Sequence, residues 1–325
     1  MDNSISIFNA NTIELHYWFN DDSHTMEAHV FNKCEHELLD IIGEIATKLK
    51  VQIRVEVEPI GEGGLKAWLK LVGEQKQAIK IALVIYLFTE VVSTPLTTTL
   101  EYLTTNALDS FFEDPEIKAL EKEKKKADLE YDIAKTKLET QKLCDSIDEN
   151  RIKKKRSNYY ETANSCKKID KISITVTDSD KTPKYKPKEI LSTDFSKYIL
   201  TSDDIDPDED ENAIIEIVSP VLKKGKYSWL GIYNGNVIQF RMKSTEFKTM
   251  VQTGEIPFKN GSSIQCHLVA NKKINSEGEI IIKGYEVLSV DKYFINDTPV
   301  ETPEGKRKRQ EKEADDIQLK LKLTE

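Results

Sequence analysis

Arginine is scarce in this sequence of 325 residues, which holds six arginines against 41 lysines. Arginine is the side chain that contacts phosphates and base edges through paired hydrogen bonds. Its scarcity weighs against a protein that reads DNA by sequence. The formal net charge of −9 also argues against nucleic-acid binding along the whole chain, although it leaves room for local basic segments.

Cysteine is also rare and widely spaced. The four cysteines, Cys34, Cys144, Cys166 and Cys266, form no CxxC pair, so neither a zinc ribbon nor a disulfide framework is indicated. The first residues lack the long apolar core of a secretory signal. A reducing, cytoplasmic location is therefore expected. The richness in lysine and isoleucine is typical of an AT-rich bacterial genome.

Catalytic signatures are missing as well. There is no GxSxG motif, and GEGG at residues 61–64 has neither the GxGxxG spacing nor the following lysine of a phosphate loop. Cys266 and His267 are neighbours on a predicted strand, so their side chains point to opposite faces and do not form a dyad. The sequence favours a protein that is not an enzyme and has no cofactor. An enzyme with dispersed active-site residues stays open.

The N-terminal segment, residues 1–62, predicts a compact ββαβ unit. Residues 12–20 alternate between apolar and polar side chains, as a half-buried strand does. Residues 24–31 predict a second strand after a polar turn. A helix over residues 33–50 and a third alternating strand over residues 51–58 complete the unit.

Three histidines and a cysteine cluster in this segment and raise the question of a metal site: His24, His29, Cys34 and His36. In the predicted hairpin, His29 lies opposite Glu14 and His16 lies opposite Glu27, and such pairs stabilise a hairpin. The cysteine faces the core side of the helix, so these groups do not converge as zinc ligands must. We therefore predict no metal, and instead a polar, histidine-bearing outer face that titrates near neutral pH.

Residues 63–113 form a hydrophobic segment that predicts helix over residues 65–92. Its most apolar part is IALVIYLF, residues 81–88, whereas a membrane span needs about 20 apolar residues. This run therefore predicts a helix in the core or at an oligomer interface. The alternative is a helix that enters a membrane only after assembly. The candidate oligomer or membrane contacts are Ile81, Val84, Ile85 and Phe88.

Residues 114–168 predict a long, charged helix that begins at Asp114-Pro115. A helix this polar buries too little to fold alone. We expect it to pair with the same helix of a second chain as an imperfect coiled coil, which makes the protein a homo-oligomer. The predicted self-association seam consists of Ile117, Leu120, Ala127, Tyr131, Ala134 and Leu138.

A basic cluster, RIKKKR, occupies residues 151–156 near the end of that helix. It is either a solvated helix end or a contact for an anion, which would be nucleic acid, an acidic loop of a neighbouring chain or anionic lipid. The candidate contacts to nucleic acid or another anion are Arg151, Lys153, Lys154, Lys155, Arg156, Tyr159 and, later in the chain, Tyr233.

The C-terminal part begins with a mixed segment, residues 169–212, whose acidic run DDIDPDEDE at 203–211 predicts a solvated loop. Residues 213–295 are dense in strand patterns, with Asn234-Gly235 as the strongest hairpin signal. They predict a small barrel of the OB-like or SH3-like kind. The charged tail, residues 296–325, is expected to be disordered or weakly helical.

Around the Asn234-Gly235 turn, one apolar face is predicted to carry Tyr227, Trp229, Ile238, Phe240 and Met242. Trp229 is therefore expected in the core, whereas Tyr233 at the hairpin tip is expected to be exposed. A short helix over residues 245–252, capped by Ser244, is predicted between the strands.

The predicted fold class is thus α+β, with an N-terminal ββαβ unit, a central helical or coiled-coil segment and a C-terminal β-barrel-like domain. The leading function is a non-enzymatic, self-associating scaffold whose C-terminal domain binds another protein. The first alternative is nucleic-acid binding through the basic cluster and the barrel. The second alternative is a membrane-acting oligomer that uses the helix at residues 79–92.

Overall fold

The structure is a computed structural model that describes residues 10–21, 25–58, 65–74, 77–113, 148–222, 225, 227–259, 261–295 and 298–322. The chain forms two compact units. The first comprises Met1–Ser202 with Ser276–Glu279, and the second comprises Asp203–Asn275 with Ile280–Glu325. Three predicted features lie outside the described residues: His24, the turn at 61–64 and the coiled-coil seam at 117–138.

The first unit is a five-stranded sheet with helices packed on one face. The strand order is β2-β3-β1-β4-β5, and all neighbouring strands are antiparallel. In chain order the elements are β1 (Thr12–Phe19), α1 (Ala28–Lys48), β2 (Ile53–Glu58), β3 (Leu65–Gly73), α2 (Ala78–Ser93), α3 (Leu100–Glu113), α4 (Glu149–Ser165), β4 (Ile169–Thr177), β5 (Lys188–Leu191) and a 3-10 helix (Ser192–Tyr198).

Strand β1 lies at the centre of this sheet. The alternation read from its sequence is confirmed, because Ile13, Leu15 and Tyr17 are buried against the helices. Burying one such side chain contributes roughly 1.5–3 kcal/mol. Cys34 on α1 is buried in the same core, as predicted.

The predicted second strand at residues 24–31 is wrong. Helix α1 already begins at Ala28, so His29 is helical, and β1 pairs with β3 and β4 instead. Val30 packs against the core one helical turn before Cys34. This helical spacing, continued by the rest of α1, outweighs a short local alternation. The order of the unit is therefore β-α-β-β rather than ββαβ.

The predicted helix at residues 65–92 is half wrong. Its first part is strand β3, in which Leu65, Ala67 and Leu69 are buried while Lys66 and Lys70 lie on the opposite face. This is the period of two that a strand requires. Its second part is helix α2, which ends before Pro95 as predicted.

The hydrophobic run in α2 lies in the core of the first unit. Ile81, Val84, Ile85 and Phe88 are all buried there, so these candidate oligomer or membrane contacts are not on the surface of the unit. Within the described part of the chain, we find no helix with the length and apolar character needed to cross a membrane. The run is apolar because the helix is buried on all sides along these residues.

We predict that Phe88→Ala lowers the free energy of unfolding by about 3–5 kcal/mol, because it leaves a cavity in this core. Urea unfolding followed by circular dichroism measures the change. Tyr102→Ala on the exposed face of α3 is the matched aromatic control and should cost less than about 0.5 kcal/mol. Equal, small effects of the two variants would contradict the buried position of α2.

The second unit is a closed five-stranded barrel with one further strand and two helices. Neighbouring strands around the barrel are β6-β7-β8-β10-β9, and β9 returns to β6. The β8–β10 pair is parallel and the other pairs are antiparallel. The elements are β6 (Asp204–Ser219), β7 (Trp229–Tyr233), β8 (Asn236–Met242), α5 (Thr245–Gln252), β9 (Ser263–Ile274), β10 (Ile280–Ile295), β11 (Thr298–Glu301) and α6 (Pro303–Lys322).

Local signals in the barrel are confirmed. Asn234 and Gly235 connect β7 to β8 with φ angles of 50° and 78°, the left-handed conformation that this two-residue turn requires. The Ser244 hydroxyl accepts a hydrogen bond from the Phe247 N–H at 3.0 Å, so Ser244 caps α5. Trp229 is buried, as predicted.

The acidic run, predicted as a loop, and the charged tail, predicted as disordered or weakly helical, both contain regular secondary structure. The acidic run at 203–211 lies almost wholly in strand β6, where pairing with β9 satisfies its backbone while its carboxylates stay mostly exposed. The charged tail forms β11 and α6. Helix α6 is tied down at its start, because Thr302 Oγ1 accepts from the Gly305 N–H and the Glu304 carboxylate accepts from the Val290 N–H.

Candidate ligand-binding pocket on the barrel

The basic cluster at 151–156 lies on α4 and is largely buried. Lys154, Lys155 and Arg156 are all buried side chains, and Tyr159 further along α4 is fully buried. Arg151 and Lys153 stay nearer the surface and form ion pairs with carboxylates of the first unit. The predicted solvated helix end is therefore wrong for Lys154, Lys155 and Arg156. As candidate nucleic-acid contacts, these three side chains and Tyr159 lie below the surface.

Lys155 is held by three carboxylates although only 2% of its side chain is exposed. Its Nζ lies 2.7 Å from Asp40, 3.0 Å from Glu277 and 3.6 Å from Glu37. Burial alone would lower the pKa of Lys155, but the hydrogen-bonded carboxylates of Asp40 and Glu277 more than offset it and raise that pKa. Burial raises the pKa of Glu37, against the attraction of the ammonium.

Arg156 closes the end of α2. Its Nη1 donates to the Val91 carbonyl at 2.7 Å and to the Thr94 carbonyl at 2.8 Å, two acceptors at the end of that helix. Burial lowers the pKa of Arg156 to about 10. The guanidinium therefore has a structural role.

We predict that Lys155→Met destabilises the protein by about 3 kcal/mol at pH 7, because it leaves the buried carboxylate of Glu37 without its cation. Without the ammonium, the pKa of Glu37 rises further above its unfolded value. The folded variant then gains stability as the pH falls through that pKa, so the deficit at pH 7 is larger than at pH 4.5. Urea unfolding at both pH values measures it.

Lys153→Met is the matched control for this experiment. Lys153 pairs with Glu149 at the surface of the same helix, and such a pair contributes less than about 1 kcal/mol. A loss from Lys155→Met that is as small as the loss from Lys153→Met would show that Lys155 is not buried among carboxylates.

The described members of the histidine and cysteine cluster, His29, Cys34 and His36, do not converge as one set of ligands. His36, Asp40 and Glu277 place ligand atoms within 4.8 Å of one another, but the ammonium of Lys155 already neutralises both carboxylates. His29 lies on α1. The cluster is therefore an ion-pair network.

His16 does not lie opposite Glu27, contrary to the predicted register. Its cross-strand neighbours are Lys66 on β3 and Ser173 on β4. The imidazole is 3% exposed and stacks on Trp18 with ring centroids 3.9 Å apart. The expected solvent-facing histidine is wrong for His16, whereas Trp18 on the same face is exposed as expected.

The barrel carries a cavity of about 410 Å³ beside β8 and α5, which we call the cationic pocket. Its described lining contains three basic side chains, Arg241, Lys243 and Lys248, and the ring of Tyr227, together with apolar and amide groups. No aspartate or glutamate is among those described lining residues. This composition differs from the rest of an acidic chain.

The alternation of β8 explains why Arg241 points outward. Ile238, Phe240 and Met242 face the barrel core, so Gln239 and Arg241 face away from it. Arg241 makes no ion pair with any described residue. The guanidinium is therefore open to a ligand.

The two lysines come from the segment that follows β8. Lys243 pairs with Glu286 at 3.1 Å. Lys248 lies on α5, whose position is fixed by the Ser244 cap, and its ammonium makes no ion pair within the described chain. Two of the three cations in the cationic pocket therefore have no counter-charge among the described residues.

A second cavity of about 600 Å³ shares Arg241 with the first. We call it the amide pocket because its lining includes the side chains of Gln239 and Asn271. Its lysines are largely neutralised: Lys283 lies 3.1 Å from Asp204, and Lys272 pairs with Asp208. The amide pocket is therefore polar but carries little excess charge.

The aromatic residues of the barrel are placed differently from the prediction. Tyr227, expected on the core face, is 61% exposed and lines the cationic pocket. Tyr233 is partly buried and its hydroxyl donates to Asp210 at 2.8 Å, which raises the pKa of Tyr233. The tyrosine open to a ligand is Tyr227. Of the pocket residues, sequence alternation along β8 could have identified Arg241.

No protein-family model, no curated protein and no solved structure matches this chain.

Proposed function

We propose that the protein is a non-enzymatic binding protein whose C-terminal barrel binds single-stranded nucleic acid at the cationic pocket. The observation that carries the proposal is a concave site that combines Arg241, Lys243 and Lys248 with the exposed ring of Tyr227 and no described carboxylate. Phosphates are attracted by such a group of cations, and an exposed ring offers a base a stacking surface.

Electrostatics support a local site on an acidic protein. The chain has a net charge of −9, so a polyanion is repelled by most of the surface and attracted only where cations are not neutralised. Arg241 and Lys248 meet that condition among the described residues. A cavity of about 410 Å³ has the size expected of a small-ligand site.

The strand order of the barrel supports the same function by analogy. The barrel has three features of OB-type barrels. Its first strand pairs with two neighbours, a helix lies between its third and fourth strands, and its third and fifth strands pair in parallel. Barrels of that kind bind oligonucleotides on the face of their second and third strands. Here those strands are β7 and β8, and β8 carries Arg241. The support is at the level of fold only.

Binding of another protein is a second candidate for the barrel. Ile214, Val218 and Val237 are large apolar side chains that stay more than half exposed on its outer surface. Self-association through the seam at 117–138 remains a prediction from the sequence. The candidate contacts of the membrane-acting alternative lie in the core of the first unit, which counts against that function.

We expect a labelled single strand of about twelve nucleotides to bind with strong salt dependence, because neutralised phosphates release counterions. Fluorescence anisotropy between 50 and 200 mM salt measures the slope. Arg241→Ala combined with Lys248→Ala should weaken binding roughly tenfold or more and reduce the slope by about two. A duplex should bind more weakly than the single strand.

The matched control removes the same charge elsewhere on the second unit. The control variant combines Arg309→Ala with Lys312→Ala. Both residues lie on α6, and neither lines the cationic pocket. This variant should bind the single strand like the wild type. If the wild type gives no anisotropy change at the lowest salt, the proposed function is wrong.

A further inference from the structure

Arg241 lines both the cationic pocket and the amide pocket, so a ligand bound in one of them can reach the other past its side chain. On β8, Gln239 and Arg241 point to the same side and lie about 6.7 Å apart along the strand. Lys243 follows beyond the end of β8. A single chain of linked groups can therefore lie along this line, from the cationic pocket to the amide pocket.

The two pockets differ in charge. The cationic pocket has three cations and no described carboxylate. In the amide pocket, the two lysines are neutralised by Asp204, which is in the lining, and by Asp208, which is not, and Glu286 is a second carboxylate of the lining. A phosphate is therefore favoured in the first pocket and gains little in the second. A neutral, polar group suits the second pocket better.

The amide pocket has unused hydrogen-bonding capacity. The side-chain amides of Gln239 and Asn271 make no hydrogen bond to any described residue, although both line the cavity. An amide offers a donor and an acceptor side by side, which matches the edge of a nucleobase. Single strands present such edges, because their bases are not paired.

We propose that the amide pocket is a base subsite, in which Gln239 and Asn271 bind the edge of the nucleobase next to the phosphate held by Arg241. This inference rests on the proposed function and names the part of the nucleic acid that the second pocket recognises. Arg241 then contacts the backbone between two successive nucleotides, and the cationic pocket holds the phosphate and stacks the other base on Tyr227.

The test compares two strands that have the same backbone charge. One is a labelled oligothymidylate of about twelve nucleotides, and the other is an abasic strand of equal length. Gln239→Ala with Asn271→Ala should weaken binding of the oligothymidylate about tenfold, since it removes contacts to a base edge. It should leave binding of the abasic strand unchanged. Arg241→Ala should weaken the binding of both strands.

The matched control is Asn212→Ala with Gln265→Ala, which removes two amides on the same barrel that hydrogen-bond each other outside both pockets. It should not alter either affinity. Circular dichroism melting confirms that each variant is folded. If the wild type binds neither strand, both the proposed function and this inference fail. If the wild type binds but the amide variant weakens both strands equally, or neither, only the base subsite is wrong.

Discussion

Two buried cations on α4 hold the first unit together. Lys155 joins Glu37 and Asp40 of α1 to Glu277, and Arg156 binds the carbonyls at the end of α2. A buried charge is costly unless it is paired, so these contacts require α1, α2 and α4 to take one arrangement. The apolar run in α2 then packs under the sheet with its last turn closed. The helix-on-sheet layer of the first unit depends on this charge network as well as on hydrophobic burial.

Features set by neighbouring residues could be predicted from the sequence. The alternation of β1, the turn at Asn234-Gly235 and the Ser244 cap depend on a few consecutive side chains, and all three are confirmed. Pairing between distant strands could not be predicted. β1 needs neighbours on both sides, and β3 and β4 supply them from far along the chain. The strand predicted at residues 24–31 was therefore the wrong partner for β1.

For charged residues, too, the local sequence pattern predicted some positions correctly and others wrongly. A run of basic residues suggested a solvated or ligand-binding segment, yet this part of α4 is covered on every side, because residues 154–160 are all buried in succession. Lys155, Arg156 and Tyr159 lie within that buried stretch. At β8, in contrast, the local pattern is sufficient. The apolar residues at 238, 240 and 242 face the core, so the alternation of the strand fixes the outward direction of Arg241.

The contrast between paired and unpaired cations separates the structural role of Lys155 from the role that we propose for Arg241 and Lys248. Lys155 is surrounded by carboxylates, and removing it leaves buried charge, so stability explains its presence. Arg241 and Lys248 make no ion pair with the described residues, and placing like charges around one cavity contributes repulsion to the folded state. Because these cations form no ion pair with the described residues, their grouping around one cavity supports the proposal of an anionic ligand.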